Sequence, residues 1–136
     1  MKTAQTIIFT LLILGVAAIL IIKHLGASGN SPAAKAIADA EKQGSPAWLF
    51  VCGNDPVSSQ TSRVFQDLTT EFSGKIVFIQ IDFDSPAHKG LLKKYGINTT
   101  PTSIFFDSHG KPVEKKIGEK PADEYRDTLA QLLEVS

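Results

Sequence analysis

Tyr95-Gly96-Ile97-Asn98-Thr99-Thr100-Pro101-Thr102 runs directly into Ser103-Ile104-Phe105-Phe106, and the reading of this stretch decides how the chain folds. Gly96 ends a short helix over Pro86 to Tyr95 whose buried contacts are Leu91, Leu92 and Tyr95. Thr102 to Phe106 then reads as a strand, Asp107 to Gly110 as a hairpin turn, and Pro112 to Ile117 as the returning strand. Pro112 fits only the start of that strand or a sheet edge, because it has no N–H to give a ladder.

Upstream, Lys75 to Phe83 carries Val77, Ile79, Ile81 and Phe83 on one face and Ile76 and Phe78 on the other, so this strand is expected at the centre of the sheet. Ser58 to Phe72 places Val64, Phe65, Leu68 and Phe72 at helical spacing. Ala47 to Cys52 is a continuous apolar run that predicts a strand buried on both faces. Ser31-Pro32 opens a helix over Ala33 to Gln43, and Pro121 opens a last helix with Tyr125, Leu129, Leu132 and Leu133 on one stripe. The order implies a parallel β-α-β unit followed by an antiparallel hairpin. The fold class is α/β, a mixed four-stranded sheet with helices on both faces.

The first thirty residues are a different material. From Ile7 to Ile22 only Thr10 and Gly15 fall outside the hydrophobic set. With Thr6 and its flank the stretch reaches about 17–19 residues, the lower limit of the roughly 17–25 that cross the hydrocarbon core as a helix, and it exceeds the roughly 7–15 residues of a signal-peptide core. Residues 1–25 are therefore read as one transmembrane helix, a single-pass anchor that meets the membrane through residues 6–22, with a cleaved signal peptide as the competing reading. Residues 26–31, small and polar, read as a flexible tether, and 32–136 as one domain. The 14 basic and 14 acidic side chains cancel overall, but residues 1–30 hold only Lys2 and Lys23, which leaves the domain mildly acidic. Neither part has the basic excess of a nucleic-acid partner. His24, His88 and His109 lie far apart and read as solvated surface residues, so no metal or cofactor is expected. Cys52, the single cysteine, rules out a disulfide within one chain. Lys111, Lys115, Lys116 and Lys120 are interrupted by Glu114 and Glu119 and read as a solvated edge that discourages strand pairing.

The Tyr95-Gly96-Ile97 to Pro101-Thr102 pattern, the Phe105-Phe106 strand with Gly110 in its hairpin, and Gly118 before the last helix resemble thioredoxin-like proteins over residues 32–136. The resemblance implies a cis peptide bond at Thr100-Pro101. It also implies a Cys-x-x-Cys at the start of the helix after the first core strand, and there this sequence departs from the family. Spacing from Val64-Phe65-x-x-Leu68 and from Gly44 puts Asp55-Pro56-Val57-Ser58 at that motif, and Leu49 where the family has a buried acid. An insertion of three residues would instead align Cys52-Gly53-Asn54-Asp55, which keeps an attacking thiol.

What the resemblance implies about function follows from this departure. The leading expectation is a membrane-anchored domain without dithiol redox activity, leaning away from an enzyme, that binds a protein or an extended peptide segment. The candidate peptide-binding residues are Asp55, Ser58, Thr100 and Pro101. The alternative is a thiol-disulfide oxidoreductase that uses Cys52 with a resolving thiol from a partner; otherwise Cys52 is a small apolar residue at the end of a buried strand. Asp55 and Ser58 have a plainer reading as a helix cap, and Trp48 as core packing. The resemblance implies that the soluble part lies on the extracytoplasmic side, the periplasmic face of a bacterial inner membrane.

Overall fold

A computed structural model describes residues 31–135. The stretch expected to be a transmembrane anchor and nearly all of the expected tether lie outside the described residues. Within them no helix is long and apolar enough to cross a membrane. The elements are α1 (Pro32–Gln43), β1 (Ala47–Cys52), α2 (Pro56–Glu71), β2 (Val77–Asp82), a 3-10 turn (Pro86–His88), α3 (Lys89–Lys94), β3 (Thr102–Phe106), β4 (Pro112–Ile117) and α4 (Ala122–Glu134).

The helix ends follow from local chemistry. The Ser31 hydroxyl accepts from the Ala34 N–H at 3.3 Å to cap α1, and Gly44 closes the helix at φ 68°, a left-handed conformation that a side chain would oppose. Asp55 caps α2 and Pro56 follows in the first turn, where a missing N–H costs nothing.

The sheet runs β2-β1-β3-β4. β1 pairs parallel with β2 and antiparallel with β3, and β3 pairs antiparallel with β4, with an irregularity at Phe105/Phe106. β2 is thus an edge strand, which corrects the expectation that it is central. Its apolar residues on both faces reflect helix layers above and below rather than neighbours on both sides. The strand flanked by two ladders is β1, and five of its six residues are buried.

Alternation along the strands divides the core in two. Leu49, Val51, Ile79, Ile81, Ile104 and Phe106 face α1 and α3 in an aliphatic layer. Trp48, Phe50, Phe78 and Phe105 face α2 and α4, where they meet Phe65, Leu68, Tyr125 and Leu129. Trp48 is fully buried and stacks on Phe105 at 5.2 Å and on Tyr125 at 5.1 Å, with Phe65 edge-on at 4.9 Å. Burial of this kind makes a Trp or Phe truncation to Ala cost about 3–5 kcal/mol.

Two further expectations are corrected. His88 is buried rather than solvated, since the 3-10 turn that carries it packs against α1; His109 is exposed and His24 lies outside the described residues. Lys116 is buried too, because alternation along β4 turns it toward α4, where it pairs with Glu114 at 2.9 Å and Glu124 at 3.3 Å. Lys111 and Lys115 stay exposed on the β4 edge.

Candidate functional site

The end of β1, the start of α2 and the loop before β3 meet at one corner of the molecule. β1 and β3 are paired neighbours, so the segment leaving β1 at Cys52 comes beside the segment entering β3 at Thr102. Gly53 allows the contact: a Cβ there would stand 2.6 Å from the Thr100 Oγ1 and 2.9 Å from an Asp55 carboxylate oxygen. The Thr100-Pro101 peptide bond is cis, as the resemblance implied.

Three of the four candidate residues form one hydrogen-bonded group. The Ser58 N–H donates to Asp55 Oδ1 at 2.7 Å, the Ser58 hydroxyl to Asp55 Oδ2 at 2.7 Å, and the Thr100 hydroxyl to the same Oδ2 at 3.0 Å. The Gly53 N–H donates in turn to Ser58 Oγ at 3.0 Å. The Ser58 amide, then its hydroxyl, hold the Asp55 carboxyl below its ordinary value; loss of solvent opposes them and Thr100 adds to them. Asp55 is consequently ionised at neutral pH. Ser58 is buried, and among the described residues no histidine contacts its hydroxyl, so it is a bonded link and not an activated nucleophile.

The fourth residue, Pro101, is buried and holds the loop to β4 through its carbonyl, which accepts from the Gly118 N–H at 2.8 Å. Thr102 Oγ1 donates to the Thr99 carbonyl at 2.7 Å and closes the same loop. Among the described residues the Thr100 backbone N–H and C=O have no partner, and Thr100 is half-buried. Val57, in the first turn of α2, is one of the exposed large apolar side chains.

Cys52 stands apart from this group at the end of β1, three residues before the α2 cap. It is half-buried, its Sγ donates to the Ile81 carbonyl at 3.4 Å, and the Gln80 amide donates to it at 3.3 Å. Gln80 also contacts Ser62 at 3.5 Å and Gln66 at 3.3 Å. Sequence reasoning did not single out Gln80; its place as a polar residue on the aromatic side of an apolar strand, in register two positions from Cys52, was the available signal. Leu49 is fully buried in the aliphatic layer, among apolar neighbours. Among the described residues no group of three or more His, Cys, Asp or Glu side chains is placed to hold a metal ion.

Comparison with known proteins agrees with this architecture. Residues 33–133 match the family model described as a thioredoxin-like domain. The chain is also 35% identical over 98 residues to UBX domain-containing protein 4 of Homo sapiens and of Pongo abelii, and 34% identical to that of Rattus norvegicus. These alignments cover 71% of this chain and 19% of each relative, so the match spans about a fifth of the curated relatives' length. The fold, its sheet order and the family match lead to one conclusion: the chain belongs to the thioredoxin-like domain family.

Proposed function

We propose that the chain is a membrane-anchored thioredoxin-like module that binds an extended protein segment at the corner formed by Asp55, Ser58, Thr100 and Pro101, and that it performs no dithiol redox chemistry. One observation carries the reading: Thr100 presents an unpartnered backbone N–H and C=O while its side chain is tied to Asp55. A backbone held in place with both groups free is what an incoming strand pairs with, and neighbouring side chains then set specificity. Val57, exposed in the first turn of the helix that Asp55 caps, offers an apolar contact.

The chain's one cysteine supports the redox-inactive part. The positions at the α2 N-terminus hold Asp55 and Ser58, bound to one another. The likeness to UBX domain-containing protein 4, a much longer protein, supports a role for this fold as a module rather than as a self-contained enzyme. The apolar run of residues 6–22 supplies the anchor in this reading, with the domain on the extracytoplasmic side.

A second reading rests on the Gln80 amide, which donates to Cys52 Sγ in a bond that a thiolate would also accept. Under it Cys52 attacks a partner disulfide and a partner thiol resolves the mixed disulfide. The full-length chain in its membrane separates the two. On the binding reading, a photo-crosslinker at Val57 and one at Thr99 capture the same partner segment, and that segment slows exchange of the Thr100 amide. Thiol-dependent disulfide reduction that disappears in Cys52→Ser would reject the redox-inactive reading; capture of unrelated proteins from the two sites would reject the groove. Protease protection of residues 32–136 in inverted vesicles, with digestion once the outer face is opened, tests the orientation.

A further inference from the structure

The sheet separates charge of opposite sign. On the aliphatic side, α1 balances Lys35 and Lys42 against Asp39 and Glu41, and α3 adds Lys89, Lys93 and Lys94, so the two helices carry +3. On the aromatic side, α2 has Arg63 against Asp67 and Glu71, and α4 has Arg126 against Asp123, Glu124, Asp127 and Glu134, so that pair carries −4. No acidic residue occurs between Ser85 and Phe106. A domain with a small net charge therefore has one strongly basic face.

β4 extends this face. Its register with β3 turns Lys115 to the side of Ile104, the α1 and α3 side, and the Lys115 ammonium donates to the Tyr95 and Gly96 carbonyls at 3.2 and 3.0 Å, beside the end of α3. Ile117 shares that side by alternation and is 53% exposed, and Val113, also exposed, lies nearby at the strand's irregular end. Lysines interleaved with exposed aliphatic side chains suit a lipid headgroup layer, where the cations meet phosphates and the apolar groups enter the boundary. α1 packs on this same side, so the chain enters the domain there. Only nine residues, 23–31, separate the end of the apolar run from α1, a reach of at most about 30 Å.

We infer that the α1, α3 and β4 face, through Lys89, Lys93, Lys94, Lys115 and Ile117, lies against an anionic bilayer surface and orients the domain with its acidic α2 and α4 layer away from the membrane. The inference rests on the anchor reading for its geometry but makes a separate contact. Each lysine near such a surface contributes about fivefold in binding, and screening shortens the interaction to about 3 Å in 1 M salt.

The test uses the full-length chain with vesicles of phosphatidylcholine alone or with added phosphatidylglycerol, and reads lysine acetylation by mass spectrometry. Lys89, Lys93, Lys94 and Lys115 are expected to be protected at least fivefold with phosphatidylglycerol and to lose that protection in high salt, and Lys115 is expected to lose it in a Lys89→Glu/Lys93→Glu/Lys94→Glu variant; Lys75 serves as the unprotected control. All three positions are exposed, and circular dichroism of the variant confirms its fold. Chain retained on both vesicles with no difference in lysine protection overturns the face and leaves the anchor. Release from phosphatidylcholine with low-salt retention on phosphatidylglycerol, the lysines protected, supports the face and overturns the anchor. Retention on neither overturns both.

Discussion

Asp55 joins two roles that the sequence could only set side by side. Its side chain caps α2 through the Ser58 N–H and reaches Thr100, 45 residues on, through the same carboxylate. Spacing identified the cap and the resemblance identified Thr100 as its neighbour; the shared carboxylate needed three dimensions. Its lowered pKa makes the carboxylate contribution fully present above the ordinary range of about 4 and lost as pH falls through the lower folded value. Asp55→Asn keeps an acceptor at the cap but cannot ionise, so acid titration of the variant, followed by circular dichroism, should show a flatter loss of stability below about pH 4 than the parent. The crowding at Gly53 was not legible in the sequence. A methyl group there meets Thr100 and Asp55 head-on, and Gly53→Ala should cost about 1–3 kcal/mol in urea unfolding while disturbing the corner that presents Thr100.

At the scale of elements, all four strands and the main helices were readable because their apolar periods differ: near-continuous in β1, helical in α2 and α4. Strand position was not readable. β1 and β2 both look two-sided in sequence, since helix layers bury both faces of each, and only the ladder partners distinguish centre from edge. The basic hairpin was half readable: Lys115 and Lys111 sit on the exposed edge as expected, whereas Lys116 alternates inward to Glu124. Helix α1 ends on a residue whose conformation only glycine adopts freely. Gly44→Ala is expected to lower stability by about 1 kcal/mol in thermal or urea melts, with Gly44→Asn costing less.

For the molecule as a whole, global stability should carry the signature of a buried histidine. His88 is held below its ordinary value of 6.5 by burial; its Nδ1 lies 3.2 Å from Ser85 Oγ, and its Nε2 is buried without a partner among the described residues. A histidine that resists protonation when folded leaves stability unaffected above its unfolded pKa. As pH falls below that value the unfolded chain binds the proton first, and stability declines until the folded pKa is reached. Urea unfolding near about pH 7.5 and about pH 5.5 should show the folded form losing stability on acidification, and His88→Leu should reduce that loss. The lone tryptophan offers a way to watch all of these transitions. Trp48 is sealed from solvent and packed against Phe105 and Tyr125, so its emission should lie well to the blue in the native protein and move to the red when the aromatic layer opens. An indole confined to one side of the sheet is a one-sided optical gauge. A mutation that loosens only the aliphatic side should alter amide exchange there before it changes the colour of this light.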